Sequence, residues 1–268
     1  MTEPFPPPYP QPPRTRRGLV KRFLRGWHSW IHVLFEKSYT MKLGEIRMPG
    51  QIMYIANELP LVDQILRGGT AYPKHRELVR NLSPLIGNSV FSANGEDWES
   101  QRAMVNPAFA HTALHRSMPL MVAAADDLLA RLDAADKSKP VDIDPMMTHV
   151  AADIIFRTLF SEALDERRSN IIHNAFGRFQ RFAHSASMLR LYGFPARWFE
   201  RRSLKPAGAI HDVFRPIVEA RYEGFHQRGE APHKDILQSL IEAKHPETAE
   251  HFTLQQVMDQ VSTVFLAG

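Results

Sequence analysis

The chain has 268 residues, 44% of them hydrophobic and 23% charged, which is ordinary for a soluble globular protein and enough for one large domain or two modest ones. It contains no cysteine, so disulfides, thiolate nucleophiles, cysteine-type zinc sites and iron–sulfur ligation are excluded. The net charge of +4 is uneven, with +7 on residues 14–47 and +6 on residues 178–205 of an otherwise acidic chain. Such islands suit an anionic surface, or simply solvated helix faces.

Met1 to Pro13 carries seven prolines and lacks the basic and apolar regions of a signal peptide. Residues 1–18 are predicted to form a disordered arm. No apolar run is long enough to cross a bilayer, and a cytoplasmic protein is expected. Residues 19–40 follow as an amphipathic basic helix. Leu19, Phe23, Trp27, Trp30, Ile31 and Leu34 fall at helical spacing, with Lys21, Arg22, Arg25, His28 and His32 between them. A helix of this kind lies on a membrane surface or on its own domain.

A hairpin is predicted within residues 41–56, turning at Pro49-Gly50, where a type II turn needs positive φ. Asn57 is read as the cap of a short helix that runs to Arg67 and stops at Gly68-Gly69. Asp144 followed by Pro145 is read as another helix start, with Met147, Val150, Ala151, Ile154 and Thr158 on one face. Further helices are predicted over 118–132, 167–185, 204–226, 235–243 and 254–268. The fold class is mainly α with a small N-terminal β-sheet, and no repeat is visible.

The stretch from Asn94 to Phe109 carries the chemistry. Asn94-Gly95 reads as a turn, and Asp97 as the cap of a helix that begins with Trp98. Trp98 and Arg102 are four residues apart and share a helix face. They offer an indole N–H and a guanidinium fork to one anionic group. A Trp–Arg pair at this spacing also occurs as an ordinary surface cation–π contact.

Trp98, Arg102 and the following Asn106-Pro107-Ala108-Phe109 together resemble the C-helix of the cytochrome P-450 family. Pro84-Leu-Ile-Gly-Asn-Ser-Val-Phe91 is similar to the loop that this family places above the haem, and the hairpin resembles its first sheet. At the other end, Thr253-Leu-Gln-Gln256 forms a capping box. Leu254, Val257, Met258, Val261, Val264 and Phe265 then make a helical stripe ending at Ala267-Gly268. That ending resembles the start of the family's oxygen-binding groove in its I-helix, and it also fits a simple glycine C-cap.

The resemblance covers roughly residues 40–268 and implies the N-terminal part, residues 41–268, of a single P-450-like domain. It implies a monooxygenase that inserts one oxygen atom from O2 into a small hydrophobic organic substrate. The implied cofactor is haem b, with electrons from a ferredoxin or a flavoprotein reductase. By the same resemblance Trp98 and Arg102 bind a haem propionate, and Phe91, Val264, Ala267 and Gly268 line the distal pocket. The family's acid and threonine, its Glu-x-x-Arg helix and its cysteine loop would lie beyond Gly268, so no turnover is expected from this chain alone. The partners of the Val257–Phe265 stripe are expected beyond Gly268 too, leaving the stripe exposed and the isolated chain poorly folded.

The pairs His28/His32 and His111/His115 have the spacing of two metal ligands, but no third ligand accompanies either, and packed or solvated histidines are expected. No nucleic-acid motif accompanies the basic islands. Peripheral membrane contact is expected through those islands. The rival reading is a non-enzymatic helical protein that docks on an anionic membrane or an acidic partner.

Overall fold

The computed structural model describes residues 11–267 except Arg16 and Lys137, and leaves the side chains of Trp30 and Leu114 undescribed. The described residues form two compact units, one within Met1–Tyr72 together with His184–Phe199 and the other within Pro73–Ala183 together with Glu200–Gly268.

The first unit contains the predicted hairpin. Strands β1 (Leu43–Met48) and β2 (Gln51–Ala56) are antiparallel, with Leu43 opposite Ala56 and Met48 opposite Gln51. Gly50 takes φ 76° in the turn, a conformation that favours glycine because it has no Cβ. Alternation along β1 sends Ile46 and Met48 inward, where they pack with Met188, Leu191 and Tyr192 and with the half-buried Phe23 and Trp27.

The long basic helix expected over 19–40 is broken into three pieces. Helix α1 (Leu19–Gly26) is followed by a 3-10 turn at Trp30–Val33 and by the short α2 (Glu36–Thr40). Tertiary packing supplies the reason. The His184 imidazole lies within hydrogen-bond distance of the Gly26 carbonyl (3.0 Å) and the Trp27 carbonyl (3.2 Å), which a continuing helix would have used. A Cβ on Gly26 would meet Met188 at 2.7 Å and Val33 at 2.8 Å, so the missing side chain leaves room for the chain to fold back closely.

Helix α3 (Leu59–Arg67) stops at Gly68 as expected, but Asn57 does not cap it. The Asn57 amide instead donates to the Ser38 and Met41 carbonyls, both at 2.8 Å, tying β2 to the end of α2.

The second unit is helical. It comprises α4 (Arg76–Ile86), α5 (Gly95–Val105), a 3-10 turn (Asn106–Phe109), α6 (His111–Ala134), α7 (Ile143–Phe160), most of α8 (Glu166–Leu191) and α9 (Arg197–Arg228), α10 (Ile236–Glu242) and α11 (Leu254–Ala267). The predicted helices are present; α6, α8 and α9 run longer than predicted, because tertiary burial extends them beyond the segments whose periodicity is clear, while α10 and α11 are one or two residues shorter. Two caps differ from expectation. Asp142, not Asp144, accepts the first free N–H of α7, from Asp144. Asn94, not Asp97, occupies the N-cap position of α5. The Thr253–Gln256 box forms as predicted, with Thr253 N–H donating to Gln256 Oε1 (2.8 Å) and Gln256 N–H to Thr253 Oγ1 (3.3 Å).

Helix α11 lies in the core of this unit. Val257, Met258, Val261 and Phe265 are each at most 9% exposed, among Leu85, Phe156, Phe214, Leu237 and Leu240. The expectation of an exposed stripe is therefore overturned. The partners that bury it come from α4, α7, α9 and α10 of this same chain.

Candidate functional site: a loop held between a lysine and a buried helix

Helix α4 ends at Ile86, and residues 87–94 lead into α5. The loop is built on Gly87, with φ 52°, where a Cβ would fall 2.1 Å from the carboxylate of Asp259. That contact lets α11 approach the loop backbone directly.

Three polar side chains of α11 then bind the loop. Asp259 Oδ2 accepts from Asn88 N–H (2.9 Å), and Gln260 Oε1 accepts from Val90 N–H (3.2 Å). Thr263 Oγ1 donates to Ser89 Oγ. The Gln260 amide also donates to Gln101 Oε1 of α5 (2.7 Å), and Gln101 returns a bond to the Asn88 carbonyl (3.3 Å). Asp259, Gln260, Thr263 and Gln101 are all buried, so each bond replaces one that water would otherwise supply. Burial pushes the Asp259 carboxyl above its ordinary range, against the bonds from Gln255 and Asn88 and the charge of His211.

Lys74 holds the loop from its other side. Its Nζ donates to the carbonyls of Ala93 (2.5 Å) and Val90 (3.2 Å), and its backbone N–H donates to Asn94 Oδ1 (2.8 Å). Desolvation lowers the Lys74 pKa. The same ammonium lies 5.4 Å from the centre of the Trp98 ring. The cation over Trp98 is thus Lys74 rather than Arg102.

Trp98 and Arg102 occupy successive turns of α5 and both are exposed, Trp98 at 39%. Neither the indole N–H nor the guanidinium has a hydrogen-bond partner among the described residues. Phe91 stands at the outer part of the loop, 44% exposed. Val264 is half-buried on α11, one residue past the Thr263–Ser89 contact, and Ala267 is exposed at the helix end. Gly268 lies outside the described residues.

The loop and α11 are therefore brought together at Ser89–Thr263. Sequence periodicity missed the residues that do this, because Asp259, Gln260 and Thr263 occupy the positions a stripe analysis assigns to solvent. One signal was available: α11 carries no Lys or Arg on the side opposite its stripe, as expected of a helix buried all round.

His28 and His32 do not share an α-helix, since α1 ends at Gly26. His111 and His115 stack edge to face at 4.5 Å. Among the described residues, no group of three or more His, Asp or Glu side chains is arranged to hold a metal ion.

Fold and site thus define a helical protein in which a buried helix supports one polar-anchored loop and an exposed Trp–Arg pair. The cytochrome P450 family model matches residues 7–268, and the chain belongs to that family. It is 28% identical over 232 residues to a cyclooctat-9-en-7-ol 5-monooxygenase of Streptomyces melanosporofaciens, covering 84% of this chain and 48% of that protein. It is 34% identical over 107 residues to the cytochrome P450 monooxygenase acrF of Aspergillus aculeatus, covering 38% of this chain and 21% of that protein. The fold is similar to the crystal structure of the cytochrome P450DA heme domain, with a TM-score of 0.68 at 17% identity, over 87% of this chain and 50% of that one. The chain spans about half the length or less of these relatives. The rival reading as a non-enzymatic docking protein is left without support.

Proposed function

We propose that the complete protein is a haem-dependent monooxygenase, in which these residues bind the cofactor edge and one wall of the substrate pocket. The observation that carries the reading is the pair Trp98 and Arg102. Two adjacent donors without internal partners stand on the helix that follows the α11-anchored loop. An indole N–H and a guanidinium fit a carboxylate, the group that haem b presents at its edge. When bound, the haem supplies the activation of O2 for insertion of one oxygen atom into an organic substrate. Electrons would come from a ferredoxin or flavoprotein reductase. This chain's own part is to hold a propionate through Trp98 and Arg102, and to exclude water from a small hydrophobic substrate with Phe91, Val264, Ala267 and Gly268. The iron's thiolate ligand is not among these residues, since the chain contains no cysteine.

Haem retention tests the reading. In a protein extended to the length of its relatives, Arg102→Ala should weaken haem binding by about 1.5–3 kcal/mol, the worth of a charge-assisted hydrogen bond. Haem content unchanged in both Arg102→Ala and Trp98→Ala would refute the assignment.

We also propose peripheral membrane contact through the first unit. Its two basic segments pack together, with the Phe23 ring 4.9 Å from Tyr192 and 5.7 Å from Phe194. Leu19, Val20, Leu24, Ile31, Phe194 and Trp198 are exposed there, among the exposed cations Lys21, Arg25 and Arg197. Apolar side chains rimmed by cations suit an anionic headgroup boundary, each cation contributing about 1 kcal/mol. Among the described residues no helix is long and apolar enough to cross a membrane. Sedimentation with anionic and neutral vesicles at low and high salt tests this. Binding to anionic vesicles that fades with salt is expected, and equal recovery in the supernatant under all four conditions would refute it.

A further inference from the structure

We infer that Asp259 and Gln260 of α11 are positioning residues that set where the Phe91 side chain stands. The backbone N–H groups on both sides of Ser89, those of Asn88 and Val90, donate to these two buried side chains. Ser89 itself is held by Thr263. Phe91 is the next residue after this anchored run, and the Val90 carbonyl behind it is fixed by Lys74. The exposed ring therefore projects from a backbone whose three preceding residues are each tied to α11. Ser92 continues the constraint from inside the loop, its hydroxyl bonding the Gly87 carbonyl (2.9 Å) and accepting from Ser89 N–H (2.9 Å).

The bonds to the loop account for a carboxyl and an amide at these depths. Both would be cheaper as apolar residues if α11 served packing alone, because a buried polar group costs stability unless it is bonded. Gln255 and Gln101 satisfy part of each group, and the remaining acceptor is bonded to the loop, so that share of the cost is offset only while the loop keeps this conformation. The consequence for substrate rests on the reading of Phe91 as a pocket residue given above. On that reading α11 controls specificity through the loop as well as through its own side chains.

Because the chain has no cysteine, Phe91→Cys accepts a single nitroxide label on the 268-residue protein. The label should be ordered in the parent and mobilised by Asp259→Ala and by Gln260→Ala. Asp259→Asn, which keeps an acceptor for Asn88 N–H, should restore the parent spectrum. Amide exchange at Asn88 and Val90 should quicken by about tenfold where the acceptor is lost. A second label at Asp126→Cys on α6 should report no change.

In the haem-loaded protein of full family length, Asp259→Ala and Gln260→Ala should alter the product ratio while haem content stays at the parent level. A position-91 spectrum unchanged in both alanine variants overturns the inference. Equal mobilisation at position 126 does the same, whereas a loosened loop with an unaltered product ratio strikes the reading of Phe91 as a pocket residue. A full-length parent that takes up no haem would strike the proposed function instead, and the label and exchange measurements would still decide the positioning.

Discussion

Replacing Gly87 by alanine tests the close approach on which the site is built. Gly87 has φ 52° and ψ −137°, a region that costs an L-residue about 1–3 kcal/mol. The new Cβ would also lie 2.1–2.2 Å from the Asp259 carboxylate atoms. Asp259 must then move, leaving Asn88 N–H unsatisfied at a cost of about 1–3 kcal/mol. The sum is about 2–6 kcal/mol, or roughly 4–24 °C in Tm for a chain of this size. Urea denaturation followed by circular dichroism measures it. In an Asp259→Ala background the collision disappears and the backbone strain remains, so Gly87→Ala should cost about 1–3 kcal/mol there. A cost below about 1 kcal/mol in the parent, or the same cost in both backgrounds, would refute the reasoning.

Asp259→Asn should stabilise the protein near neutral pH but not in acid. The folded-state pKa of Asp259 is raised above its ordinary 3.8 by burial. Its contribution is therefore fully present below about pH 4 and lost as pH rises through the folded value. Denaturation at pH 4 and pH 7 checks this, and a gain equally large at both would contradict it. Arg221→Ala should cost about 3–5 kcal/mol. It strands the buried Asp235 carboxylate, which Arg221 grips at 2.9 and 3.1 Å and which also caps α10. A thermal-unfolding loss under about 1 kcal/mol, the range of an exposed pair, would show the pair to be solvent-screened. Phe214→Ala, at a fully buried position between Phe160 and Phe265, should cost about 3–5 kcal/mol by calorimetry. A smaller loss would mean that the cavity collapses.

The hairpin, the run of helices and the capping box at Thr253 were legible in the sequence because each depends on near neighbours. Pro49-Gly50 makes a turn wherever the flanking strands lie, and Thr253 and Gln256 need only each other. The Trp98–Arg102 pair was legible for the same reason, since a four-residue spacing on a helix fixes a shared face. What holds the loop before it involves residues about 160–175 positions apart, such as Gln101 with Gln260 and Ser89 with Thr263. Periodicity reports which side of a helix is apolar. It cannot report that the polar side of α11 is buried too, because that depends on the loop at 87–94 offering backbone donors at the matching height. The break after Gly26 has a similar origin. Residues 19–34 carry a helical pattern throughout, whereas the His184 ring and the close packing of Met188 and Val33 meet the chain at Gly26, where the helix stops.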